Sequence, residues 1–362
     1  MNSFVINSVK GDINLGQVSW EAPSNIALVK YWGKKGLQLP MNSSLSLSLS
    51  SSKTKTTLSW RKKPKGEGLS FDLLFEGKKK VQFQNKISTF LERVEDKIPN
   101  LKDYHLEFDS ENTFPHSVGI ASSASSMASL ALCLGSFAAY SGNESFLGDT
   151  FFEEVSSMAR LGSGSACRSI YGGWASWGPY QIDNHEKGSD FYATPFTKID
   201  PLFKEMSDFI LIVDGSPKKV SSTKGHALME GHPFAEARIL QAENNMNKLV
   251  DSIIKGNWDV FQSVVENEAL SLHSLMMSSK DPYILMHPRS LVVIEKIKEM
   301  RAKTGVKCCF TLDAGPNIHL LCPKSENTSI KRFIESDLQE FLENKNWIED
   351  SVGSLGPKAL EC

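Results

Sequence analysis

The stretch that most constrains this chain is residues 112–126, NTFPHSVGIASSASS, which passes directly into an apolar helix-forming segment ending near Tyr140. Small residues let a backbone come close to a ligand. Free N–H groups and the positive end of the following helix then face whatever sits there. Ser122, Ser123 and Ser125 would add hydroxyls for phosphate oxygens or Mg²⁺. The same serines suit the N-cap of a buried helix, and the stretch is neither GxxxxGK[ST] nor GxGxxG, so alone it does not choose between the two.

The elements around it predict an α+β order rather than a regular βαβ alternation. With 362 residues, 40% of them hydrophobic, the chain has material for two cores. Residues 43–50 alternate as SSLSLSLS, which predicts a half-buried strand. Residues 54–60, 69–75 and 81–83 read as further antiparallel strands in hairpins, with a turn at Glu76-Gly77. A short amphipathic helix at 87–94, a strand at 104–108, the central helix from 125 and a second helix at 151–161 complete the first part. A polar, turn-rich stretch from 178 to 200 places a boundary between domains 1–195 and 196–362. The second part opens with a strand at 209–214. Amphipathic helices follow at 235–254, 258–277 and 290–304, then the strands CCFTL and IHLLC flanking DAGPN.

Net charge is −2, from 40 Lys and Arg against 42 Asp and Glu, which argues against a general nucleic-acid or membrane-surface binder. Small-molecule partners are expected. The first residues lack the long apolar run of a signal peptide, and the most apolar window, 127–140, is too short to span a bilayer, so a cytoplasmic location is expected. Cys133, Cys167, Cys308, Cys309, Cys322 and Cys362 show no CxxC spacing, and the eight histidines include no HExxH. Neither disulfides nor a structural zinc site is indicated.

Three further stretches carry chemistry. After Asn25 and the apolar residues 26–29 come Lys30, Tyr31, Lys34 and Lys35, where cations and a phenol at a strand end could grip a phosphate or form a solvated edge. GSGSACRS at 162–169 sets tiny residues around Arg168, as an oxyanion cradle or a flexible turn. Asp313 in TLDAGPN follows an apolar strand directly, as a catalytic carboxylate or an Asx-type turn former.

KYWGK at 30–34, PMNSSLSLSLS at 40–50, FPHSVGIASSAS at 114–125, GSGSACRS, VSSTKG at 220–225 and TLDAGPN, in this order, resemble the diphosphomevalonate decarboxylase family. That family belongs to the galactokinase, homoserine kinase, mevalonate kinase and phosphomevalonate kinase (GHMP) superfamily. The resemblance covers residues 19–321. It implies an N-terminal domain like ribosomal protein S5 domain 2, a ferredoxin-like C-terminal domain, a site in the cleft between them, and a homodimer. It further implies ATP as co-substrate, Mg²⁺, and conversion of mevalonate 5-diphosphate to isopentenyl diphosphate with release of ADP, phosphate and CO₂.

By the same resemblance Asp313 faces the substrate's C3 hydroxyl, Lys30 and Arg168 orient the hydroxyl and carboxylate, and Ser222 lies near phosphoryl transfer. Tyr31, Trp32, Gly33, Lys34, Lys86, Ser163, Gly164, Ser165, Ala166, Cys167 and Thr223 match substrate-binding positions. Gly119, Ser122, Ser123 and Ser125 match the ATP loop, and Ser123 matches a Mg²⁺ ligand. The chain departs from the family pattern in PHSVG for PTAAG, in Lys86 where arginine is common, and in HAL at 226–228 for a Met-containing run. Relatives acting on mevalonate 5-phosphate, kinases of the 3-hydroxyl and a non-catalytic paralogue remain alternatives. Because it adjoins Arg168, Cys167 is expected to react with thiol reagents with loss of activity.

Overall fold

Two long strands, β1 (Leu15–Val29) and β2 (Ser44–Lys62), pair antiparallel along most of their length and form the spine of the molecule. The computed structural model describes residues 14–360 except 65, 115–119, 184, 217–219 and 221, with Ser222 and Thr223 described by their backbone only. Residues 54–60, expected as a separate strand, continue β2. The register of the pair shifts between Pro23 and Asn25, and there Asp350 accepts the N–H groups of Ser50, Ser51 and Ser52 at 2.8–2.9 Å. The carboxylate satisfies backbone donors that the shift takes out of the ladder.

The sheet is not a run of hairpins. β3 (Ser70–Phe75) lies parallel to β4 (Tyr104–Asn112), and β4 lies antiparallel to β2. A parallel neighbour needs a crossover, and α1 (Val81–Val94) supplies it. Residues 81–83 therefore belong to a helix. Phe83 packs edge-on against Phe75 at 5.8 Å, and Ile87, Phe90, Leu91 and Val94 bury one face at helical spacing. The turn at Glu76 and Gly77 is present, both residues having left-handed φ (53° and 70°). β5 (Trp174–Trp177) and β6 (Ala193–Phe196) extend the sheet beyond the first half of β2.

One face of this sheet is covered by α1, α2 (Ser122–Tyr140) and α3 (Phe151–Gly162). α2 starts three residues before its expected position, and by length and composition it could cross a membrane. Its apolar window is 83% buried inside the protein, which is the reason such a helix is apolar on all sides here. The second domain is a four-stranded antiparallel sheet in the order β8 (Cys309–Thr311), β9 (Ile318–Pro323), β7 (Met206–Leu211), β10 (Trp347–Ser351). Its helices include α4 (Ser222–Ala227), α5 (Ala235–Lys255), α6 (Trp258–Met277) and α7 (Pro288–Thr304).

The two domains share a core. Ile26, Leu28, Leu45, Leu47 and Leu49 from β1 and β2 pack with Ala242, Met246, Phe261 and Val265 of α5 and α6. The strand at 43–50 is consequently not half-buried: Ser44, Ser46 and Ser48 are as buried as the leucines. Their alternation separates an apolar interior from a polar one, not core from water. β11 (Lys358–Leu360) returns to pair with β1, residues 19–21 opposite 358–360, so the first sheet draws strands from both sides of the expected boundary. Cys133, Cys167, Cys308, Cys309 and Cys322 are buried and in no disulfide, and Cys362 lies outside the described residues.

Candidate active site

A cavity of about 630 Å³ opens between the domains, and the end of β1 delivers Lys30 into it. This is no solvated edge, for Lys30 is 2% exposed and its peptide is held from both sides. Its N–H donates to Glu268 Oε2 at 2.8 Å, and its carbonyl accepts from Arg238 Nη2 at 3.2 Å and Asn42 Nδ2 at 3.0 Å. Its ammonium donates to the Ala27 carbonyl at 2.6 Å and to Asp313 Oδ1 at 3.2 Å. Burial pushes that ammonium below the usual lysine range, and the Asp313 carboxylate opposes the shift.

Asp313 follows β8 and lines the same cavity. Its backbone oxygen, rather than its side chain, accepts the Gly315 N–H at 2.7 Å, and the same oxygen faces His273 Nε2 at 3.1 Å. The turn is thus formed by main chain, and the carboxylate meets Lys30. Arg168, 1% exposed, donates Nε to Ser46 Oγ at 3.0 Å, Nη1 to Ser44 Oγ at 2.6 Å and Nη2 to Asn25 Oδ1 at 3.5 Å. Neutral acceptors on β1 and β2 therefore aim the guanidinium, which also lines the cavity. Among the described residues these three contacts take three of its five N–H groups, which leaves two for a ligand.

The cavity lining also carries Tyr31, Lys34 and Lys86 together with Ser163, Gly164 and Ser165. Gly164 presses on the phenol so closely that a Cβ there would stand 2.6 Å from Tyr31 Oη. That hydroxyl is buried without a hydrogen-bond partner among the described residues, and burial raises its pKa. Burial pushes Lys34 down to about 8, with Lys86 and Arg93 adding repulsion. Lys86 is open to solvent yet enclosed by the cavity walls, and that enclosure lowers its pKa too. Beside these cations a second hollow of about 400 Å³ contains Arg93.

Several expected residues lie elsewhere. Trp32 lines the cavity, whereas Gly33 forms the turn behind it with φ +92°, a value glycine alone takes freely. Ala166 and Cys167 face away from the cavity and are fully buried. Burial pushes the Cys167 thiol up to about 12, so the expected reactivity toward thiol reagents is corrected: there is neither access nor thiolate. At the start of α2, Ser122 and Ser123 line the cavity but Ser125 does not. Its hydroxyl points into the sheet, 2.7 Å from Thr54 Oγ1, and Ser126 and Ser110 reach the cavity instead. Among the described residues no side chain caps α2, so the serines are not its N-cap; the Ala124 N–H is taken up by the Ala121 carbonyl at 2.7 Å, and the N–H groups of Ser122 and Ser123 are the ones a ligand could meet. Past them the cavity turns apolar, with Leu73, Phe75, Phe83, Ile87 and Leu130. Gly119 and the side chains of Ser222 and Thr223 lie outside the described residues.

Sequence reasoning missed Asn25, the Arg238–Glu268 pair and His226. Asn25 had a signal, being a polar residue inside an otherwise apolar strand end. Arg238 and Glu268 had none, since they sit on separate amphipathic helices and only packing brings them under Lys30.

The start of a helix and a carboxylate paired with a lysine, both lining an interdomain cleft between an S5-like and a ferredoxin-like domain, define a GHMP-kinase-type fold. Within that class the chain belongs to the diphosphomevalonate decarboxylase family. Residues 22–190 match the diphosphomevalonate decarboxylase-like N-terminal domain, and residues 209–355 match the mevalonate 5-diphosphate decarboxylase C-terminal domain. A diphosphomevalonate decarboxylase of Gibberella zeae is 32% identical over 320 residues, covering 84% of this chain and 81% of that protein. The mevalonate diphosphate decarboxylase of Staphylococcus aureus superposes with a TM-score of 0.81 at 27% identity, covering 96% and 98% of the two chains. A structure described as MDDEF in complex with MVAPP, AMPPCP and magnesium gives a TM-score of 0.79 at 27% identity, over 96% and 100%.

Proposed function

We propose that the chain carries out ATP-dependent decarboxylation of mevalonate 5-diphosphate to isopentenyl diphosphate, releasing ADP, phosphate and CO₂. The observation that carries this reading is the Lys30–Asp313 pair, set beside Arg168 in the cavity onto which the uncapped start of α2 opens. A tertiary alcohol leaves poorly, so its oxygen first takes the γ-phosphoryl group of ATP. Asp313 orients the C3 hydroxyl and accepts its proton. The C3–O bond then breaks with loss of phosphate, and the C–C bond to the carboxylate supplies the electron pair for the new alkene as CO₂ departs. Arg168 and Lys30 hold the carboxylate and hydroxyl in line. Tyr31, Lys34, Lys86 and Ser163 take the diphosphate at the cationic wall, remote binding that fixes the reacting end.

The apolar end of the cavity suits a flat base, with the nucleotide's phosphates over Ser122 and Ser123. Among the described residues no cluster of three or more His, Cys, Asp or Glu could hold a metal ion by itself. Ser123, which lines the cavity, would offer its hydroxyl to Mg²⁺ arriving with nucleotide phosphates, and the ion would supply charge neutralisation there. The reading extends to a cytoplasmic homodimer, and sedimentation as a monomer would remove that part.

A coupled assay of phosphate and CO₂ release with the 5-diphosphate and the 5-phosphate tests the reaction. Both products should appear together and with preference for the diphosphate, since Lys34, Lys86 and Arg93 supply more cationic charge than one phosphate needs. Phosphorylation without CO₂ would make the chain a 3-hydroxyl kinase, and equal efficiency on both substrates would remove the diphosphate preference.

A further inference from the structure

His226 lies on α4, 9% exposed, and lines the cavity beside Tyr31, Trp32 and Lys34. Its ring is held between two aromatic faces, with centroids 4.4 Å from Tyr31 and 4.7 Å from Trp32. The Gly33 N–H donates to its Nδ1 at 3.0 Å. A ring nitrogen that accepts a hydrogen bond carries no proton, so the neutral imidazole must carry its proton on Nε2. Burial, with Lys34 nearby, pushes the imidazolium down to about 3, and the ring is neutral throughout the physiological range. With Nδ1 turned to the Gly33 backbone, the edge left for the cavity is Nε2–H.

We propose that His226 is a substrate-binding residue, donating a hydrogen bond from neutral Nε2–H to a non-bridging phosphate oxygen of the substrate's diphosphate. The inference rests on the functional reading above, which places that diphosphate at the wall of Tyr31 and Lys34. The chemistry suits the position. The wall already holds two lysines whose ammonium groups are disfavoured by their surroundings, and a third cation there would be costly. A neutral donor fixed in one tautomer adds a directed contact to the anion without adding charge. It also ties α4 to the turn of residues 30–34, so the segment carrying Ser222 and Thr223 is seated by the same ring.

Three substitutions separate binding from packing. H226N keeps an acceptor near the Nδ1 position for Gly33 but removes the outer donor. H226Q places an N–H near the Nε2 position but loses the Gly33 contact. H226M fills the space with neither. Steady-state kinetics on the diphosphate substrate should show KM raised roughly ten- to a hundredfold in H226N and H226M, the range for a hydrogen bond to a charged group, with kcat moving much less. H226Q should recover most of that loss, although its Tm falls because the Gly33 contact is gone. H226N with the parent's KM would overturn the proposal, as would H226Q failing as badly as H226M. A parent enzyme without turnover on the diphosphate would instead remove the functional reading itself.

Discussion

Glu268→Gln tests whether the buried pair beneath Lys30 is a structural necessity of the site. Glu268 is fully buried and accepts from Arg238 Nη1 and Nη2, each at 2.7 Å, from Asn245 Nδ2 at 2.6 Å and from the Lys30 N–H at 2.8 Å. Glutamine keeps the shape and loses the charge, leaving the Arg238 guanidinium, 3% exposed, without a counter-ion. Breaking one side of a buried pair costs about 3–5 kcal/mol, and at this depth solvent screens little of it. At roughly 2.1 cal/mol/K per residue, a chain of 362 residues unfolds with an entropy of about 0.76 kcal/mol/K. The expected fall in Tm by calorimetry is therefore about 4–7 °C. Burial raises the Glu268 pKa, but Arg238 and Asn245 outweigh it and hold the carboxyl below its ordinary value. Its stabilisation is thus present above the unfolded value of about 4.3 and lost as pH falls through the folded one, so the variant should show a shallower acid limb. In E268L/R238M the uncompensated charge is gone and most of the Tm returns, while activity stays low because the Lys30 peptide keeps only Asn42 of its three side-chain partners. A Tm within about 1 °C of the parent for E268Q, far short of the expected fall, or full activity in the double variant, would refute this account.

Asp313→Asn preserves the turn made by the Asp313 carbonyl and should lower kcat roughly 10²- to 10⁴-fold with Tm nearly unchanged; parallel loss of stability and rate would make Asp313 a loop-holding residue. Lys34, pushed down to about 8, should give kcat/KM for the diphosphate a descending limb as pH rises through that value, because deprotonation removes a cation from the anion wall. Folding stability should move the opposite way over the same range, since the unfolded lysine binds more protons between there and about 10.4, and Lys34→Arg should carry the limb upward. Cys167 should resist alkylation in the native protein at neutral pH and react only on unfolding; rapid native labelling traced to Cys167 by mass spectrometry would contradict its burial and raised pKa.

What was legible in the sequence is uneven in a physically ordered way. Lys30 and Asp313 were visible because each directly follows an apolar strand, a position that points a polar group out of a core. Arg168 stood out as a lone cation among tiny residues. The serine-leucine alternation at 43–50 was seen but misjudged: period 2 reports two faces and says nothing of what covers each, and here Arg168 covers the serine face. Residues 81–83 looked like a strand because three residues cannot show a helical period. Ser125 was grouped with Ser122 and Ser123, although 100° per residue turns it toward Thr54. Arg238, Glu268 and His226 required the packed structure, as their partners lie far away along the chain.

The pairing of residues 19–21 with 358–360 bears on how the protein is made. Chain synthesis runs in one direction, and domains ordinarily fold as they emerge. Here the exposed flank of β1 waits for a partner made more than three hundred residues later, and its inner face waits for α5 and α6. During translation the first domain is therefore an open edge with an uncovered apolar face, a template for association with other nascent chains. Truncations after residue 357 should leave that edge open in the finished chain and raise association between released chains more than they disturb the active site.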